Sequence, residues 1–113
     1  MEFKELMQRA KQVREQYAAL ERETYGKEWT REQLVQGFVG DVGDLVKFAM
    51  AKEGLRTIPE ADRKLAHELA ECLWSILIIA DQYGIDLEDA FLWTMKEVEE
   101  KIGRKASHPA ADL

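Results

Sequence analysis

The chain has a single cysteine, Cys72. No internal disulfide can form, which suits a reducing compartment. It has only two prolines, Pro59 and Pro109, so long stretches are free of the residue that breaks helices. Its longest nearly apolar run, residues 72–80, is too short to cross a bilayer. The opening Met1-Glu2-Phe3-Lys4-Glu5 lacks the basic-then-apolar layout of a secretory leader. These absences predict a cytoplasmic protein with no membrane partner. Positive charge is also scarce, with 16 Lys and Arg against 22 Asp and Glu and a formal net charge of −6. So acidic a chain is a poor general binder of nucleic acid, because phosphate contacts need a basic surface. It can bind a phosphorylated small molecule if metal cations supply the positive charge.

The chain has 113 residues, 46% of them hydrophobic, which fits one folded domain that gains from burying surface against a partner. Helical periodicity runs between the breakers, and no strand-like alternation competes with it. Four helices follow, and the fold class is all-α. The first covers residues 3–25, with Phe3, Leu6, Ala10, Val13, Tyr17 and Leu20 on one stripe and Gly26 as its stop. The second starts after Thr30, which with Gln33 makes a capping box, and runs to Lys52. The third starts near Pro59 and ends at Tyr83, ahead of Gly84. Asp86 caps the fourth, which uses Leu87, Phe91, Met95, Val98 and Ile102. The domain is expected to span 1–102, with 103–113 as a flexible tail. Between residues 72 and 80 only Ser75 is polar. A helix apolar all round is buried all round, and four short helices can hardly enclose one of their own. A homo-oligomer is the simplest cover.

Two carboxylate pairs break the apolar pattern. Leu34, Phe38, Asp41, Leu45 and Phe48 are spaced four, three, four and three, one core-facing stripe with Asp41 where a Leu belongs. Asp44 lies one turn on. Burying an unpaired carboxylate costs roughly several kcal/mol, so this placement asks for compensation. Glu68 and Glu71 share a face of the third helix, with Ser75 next on it. The bland alternative for them is a solvated edge, or ion pairs with Lys64 or Lys47. Two such pairs on consecutive antiparallel helices can converge on a hard cation that takes oxygen ligands, such as Mg²⁺ or Mn²⁺. A di-iron site is excluded by the lack of Glu-x-x-His, and a zinc site by the lack of a Cys/His cluster. Trp29, Phe38, Trp74 and Trp93 are candidates to stack on a base, with ordinary core packing as the alternative for each.

The segments Gly40-Asp41-Val42-Gly43-Asp44-Leu45 and His67-Glu68-Leu69-Ala70-Glu71-Cys72-Leu73-Trp74, with 23 residues between Asp44 and Glu68, resemble the two acidic motifs of MazG-type nucleoside triphosphate pyrophosphohydrolases. The stretch from Ala80 through Gly84 to Phe91 is similar to that family's turn into its last helix, so the resemblance covers roughly residues 30–102. It implies a four-helix MazG-like bundle assembled as a homodimer or homotetramer. It also implies Mg²⁺-dependent cleavage of an NTP or dNTP to the monophosphate and pyrophosphate, as in clearing the nucleotide pool. By position it makes Asp41, Asp44, Glu68 and Glu71 the metal ligands and Lys96 a phosphate contact. Glu68 is the expected general base, and Trp74 and Trp93 the expected substrate contacts. The chain departs from the family by Asp at 41 and 44 where Glu is usual, by Glu71 where Asp is usual, and by Gly40 where a further Glu is frequent. Leu73-Trp74 replaces the Tyr-His of the phosphoribosyl-ATP pyrophosphatases. These departures favour an alternative, an inactive helical dimer that serves as an interaction module.

Overall fold

The computed structural model describes residues 1–107, which form α1 (Phe3–Tyr25), α2 (Arg31–Lys52), α3 (Ala61–Gln82) and α4 (Leu87–Ser107). The described residues are all-helical, as the periodicity predicts. Local chemistry explains the ends. Gly26 takes a left-handed φ of 80° and donates its N–H to the Arg22 carbonyl, closing α1. Thr30 and Gln33 form the reciprocal capping box at the start of α2. Asp86 Oδ1 accepts the Asp89 N–H at 3.1 Å and caps α4.

Two boundaries differ from those the sequence predicts. α3 begins at Ala61, because the chain is still reversing at Pro59 and Glu60, and Glu60 completes the turn at a left-handed φ of 55°. α4 runs on through Gly103 to Ser107. One glycine costs a helix only about 1 kcal/mol, and Arg104 and Lys105 in the last turn complement the helix dipole. The rest of the expected tail lies outside the described residues.

α2 and α3 pack antiparallel along their whole length. Arg31 meets the Gln82 carbonyl, Asp41 meets Ser75, and Lys52 pairs with Asp62. α1 lies across α3, held where the Trp74 indole N–H donates to the Ala10 carbonyl at 3.1 Å. Ala10, Leu77 and Ile78 make the core, with Phe3, Met7, Leu34, Trp74 and Leu87 packed around them.

Only part of the expected α1 stripe turns inward, with Phe3 and Ala10 packed in the core. Ala10, Ala18 and Glu21 are its buried residues, while Leu6, Tyr17 and Leu20 stay largely exposed. Arg14 and Glu21 pair with each other, and this compensates the charge they carry inward. Leu6 is thereby left on a shallow apolar groove with Val13, Leu73 and Leu77.

The single chain leaves much apolar surface open. In α3, Cys72, Leu77, Ile78 and Ala80 are buried, but Leu73 and Ile76 are not. α4 shelters only Leu87, Ala90 and Thr94, and its Phe91, Met95, Val98 and Ile102 are exposed. The radius of gyration is 18.3 Å, against about 13 Å for a compact domain of this length. No helix among the described residues is long and apolar enough to cross a membrane.

Candidate metal centre and adjoining cavity

The antiparallel register of α2 and α3 sets Asp41 and Asp44 opposite Glu68, Glu71 and Ser75. Asp41 does not sit in a sealed core. The whole Leu34-to-Phe48 stripe is half-buried, with α2 packed mainly on α3. Asp41 Oδ2 accepts the Ser75 hydroxyl at 3.0 Å. Asp44 lies 3.5 Å from Lys47, an ion pair on its own helix. Glu71 lies 3.2 Å from His67 Nε2.

Glu68 behaves differently. It is only 7% exposed, and its Oε2 is buried with no hydrogen-bond partner. Neither Lys47 nor Lys64 pairs with it. Burial pushes its carboxyl above the usual range, and the charges of Glu71, Asp44 and Asp41 push it further; His67 opposes them weakly. An orphaned buried acceptor beside three carboxylates is costly as it stands. A cation placed there would satisfy it. His67, Glu68 and Glu71 each turn a ligating atom to within 4.8 Å of one another, the one such group among the described residues. His67 is a neighbour that the Glu-x-x-His pattern does not capture. Its spacing of four from Glu71 on a helix is the signal that could have found it. The oxygen-rich donor set fits a hard divalent cation.

Cys72 lies just behind this cluster. Burial, with Asp41, Glu68 and Glu71, raises its thiol, so it stays protonated and inert.

A cavity of about 220 Å³ opens between α1, α2 and α3, and Asp41, Glu71 and Ser75 form part of its wall. Tyr17, Trp29 and Trp74 give it aromatic sides, with Leu34 and Ile78 among its apolar lining. Tyr17 and Trp74 meet at a centroid distance of 5.9 Å. Trp29 lies against α2 at Gly37, where a Cβ would stand 2.8 Å from the ring. Trp29 is fixed from behind as well, since Glu21 Oε1 accepts its backbone N–H at 2.9 Å and also takes the Arg14 guanidinium. Trp74 thus serves two ends, as cavity wall and as the anchor of α1. Arg14, Tyr17, Glu21 and Gly37 were not candidates from sequence.

Trp93 and Lys96 do not join this site within one chain. Both are exposed on α4 and neither lines the cavity. No family model, curated protein or solved structure matches the chain.

Proposed function

We propose that the chain is a metal-dependent nucleoside triphosphate pyrophosphohydrolase of the MazG type, hydrolysing a (d)NTP to the (d)NMP and pyrophosphate. The observation that carries this reading is the buried, unpartnered Oε2 of Glu68 among Asp41, Asp44 and Glu71. A purely structural helix pair has no reason to keep such a group, whose desolvation costs roughly 1–3 kcal/mol or more. Asp41, Asp44, Glu68 and Glu71 would hold Mg²⁺ or Mn²⁺, with His67 orienting Glu71 through their 3.2 Å contact. The bound cation supplies the positive charge that an acidic protein needs to accept a triphosphate, and it polarises the phosphoryl oxygens.

The chain's own residues do the rest. The aromatic cavity takes the base and leaves the phosphates outside, against Asp41 and Glu71. Glu68, whose carboxyl is raised above the ordinary range by burial and the neighbouring carboxylates, is the group suited to take the proton of the attacking water. That water adds to the α-phosphorus, the bond to the bridging oxygen breaks, and pyrophosphate leaves with that oxygen.

A second copy of the chain completes the unit in this reading. The exposed faces of α4 and α3 need cover, and a homodimer or homotetramer provides it. Lys96 and Trp93 could then reach a neighbour's site. The same apolar faces would serve an inactive helical dimer, and Glu68 is what separates the two readings. The test is a pyrophosphate-release screen across the NTPs and dNTPs with Mg²⁺ or Mn²⁺. Release that disappears in Glu68→Gln supports the enzyme; no release from any nucleotide overturns it.

A further inference from the structure

Two carboxylates are buried among the described residues, Glu68 and Glu21. The metal reading uses the first and not the second. Glu21 is 8% exposed, lies on the inward face of α1 and lines the aromatic cavity together with Arg14. A charged pair of this kind, set into the wall of an otherwise aromatic and aliphatic slot, is the sort of polar feature that orients a ligand.

We propose that Arg14 and Glu21 read the edge of the base, so that the cavity selects nucleotides whose base carries an exocyclic amino group beside an unprotonated ring nitrogen, as cytosine and adenine do. This rests on the pyrophosphohydrolase reading for the site as a whole. The cavity's size and walls support it. The cavity volume of about 220 Å³ lies below the roughly 300 Å³ where drug-sized sites begin, which suits one base with its sugar and phosphates outside. The three aromatic walls offer stacking surface to any base and so do not choose among them. The choice falls to the polar pair.

Burial pushes the Glu21 carboxyl up, but the Trp29 N–H, Arg14 and Arg22 outweigh it and hold it below the ordinary range. Glu21 is therefore ionised and can only accept. Its Oε1 is engaged by Arg14 and Trp29 while Oε2 takes part in neither bond, and Glu21 lines the cavity, so Oε2 is the oxygen that a ligand there would use. A base amino group can donate to Oε2 while the adjacent ring nitrogen accepts from the Arg14 fork. Carboxylate with cytosine amino is an established pairing of this type. Uracil and hypoxanthine carry a carbonyl oxygen where the amino group stands. Its lone pairs would face an anion, and Glu21 would be left desolvated without a donor.

The test compares dCTP with dUTP and dATP with dITP on the wild-type protein with Mg²⁺. Pyrophosphate release gives kcat/KM, and tryptophan quenching gives the affinity, since Trp29 and Trp74 form the walls. The amino member of each pair should be favoured by about tenfold or more in both readouts. In Glu21→Gln both ratios should fall towards one, because the amide can also donate to a carbonyl. Glu21→Gln also removes half of an ion pair, so the deciding quantities are the wild-type ratios, which need no variant to fold. Release with equal or inverted preference overturns base reading and leaves the enzyme standing. Neither release nor quenching with any nucleotide overturns both.

Discussion

Glu68→Gln is the sharpest perturbation of the site, because a metal ligand and a structural group at this position give opposite signs. The substitution keeps the shape of the side chain and removes its charge. Without metal, Glu68 is an ionisable group, 7% exposed, with Oε2 unpartnered and Asp41, Asp44 and Glu71 nearby. Replacing it with a neutral amide removes the repulsion from Asp41, Asp44 and Glu71 and the burial of a charge. The gain should be about 1–2 kcal/mol, within the range for relieving one unsatisfied buried group. At this chain length that corresponds to a rise in Tm of about 4–8 °C in EDTA. The pH dependence follows from the raised carboxyl. The native state binds a proton more readily than the unfolded chain, so metal-free stability should fall as pH rises from the ordinary glutamate value of 4.5 through the higher native one. Glu68→Gln should flatten that slope. With metal the order reverses. A cation at about a hundred times its dissociation constant should stabilise the wild type by about 2.7 kcal/mol, and the variant should lose most of that shift. The assay is thermal unfolding at fixed protein concentration, with EDTA and then with Mg²⁺, between pH 5 and 8. A variant that melts lower in EDTA yet keeps its Mg²⁺ response would mean that Glu68 is a structural group and holds no metal.

Three further outcomes follow from the packing. Trp74→Phe keeps an aromatic wall but loses the 3.1 Å bond to the Ala10 carbonyl; it should cost about 1 kcal/mol, and an unchanged Tm would mean that α1 is not anchored there. Gly37→Ala adds a Cβ that collides with the Trp29 ring, so despite a helix-propensity gain of about 1 kcal/mol it should swing that ring out, red-shifting tryptophan emission; an unmoved spectrum would place Trp29 elsewhere. Val98→Glu puts a charge on the exposed apolar face of α4; the wild type should sediment as a dimer or larger at micromolar concentration and the variant as a smaller species, whereas a monomeric wild type would remove the need for a second copy.

The helices were legible because their ends carry their own chemistry. Thr30 with Gln33, Gly26, Gly84 and Asp86 each satisfy backbone groups locally, and no distant contact decides them. The acidic cluster was legible for a related reason. A carboxylate within an apolar stripe violates the periodicity, and Asp41 does so visibly. Glu21 is buried more deeply and was missed. It stands in a run, Glu21-Arg22-Glu23, that reads as a solvated face, and its compensating partner Arg14 lies two turns away. The pair lies on the inward side of α1 while Leu6 and Leu20 of the stripe stay largely exposed, an outcome that a hydrophobic stripe alone cannot foresee. Trp29 was visible as an aromatic, but its placement depends on Gly37 and on Glu21, contacts made only after α1 and α2 have folded together.

The two buried carboxylates also explain how one small chain could divide its work. Each is costly to bury, and each is resolved differently. Glu21 is resolved within the protein, by the Arg14 guanidinium and the Trp29 N–H, and its carboxyl is held low. Such a group is ready before any ligand arrives and holds an aromatic wall in place. Glu68 is not resolved within the protein, and its carboxyl is held high. A cation would resolve such a group, as the proposed metal site requires. Asp41, Glu71 and Ser75 connect the two regions, because they belong to the cluster on one side and to the cavity wall on the other. A ligand with an uncharged aromatic end and an anionic end that brings its own cations matches both. A nucleoside triphosphate has that polarity. A protein partner would have to supply an aromatic side chain and a cation at the same spacing.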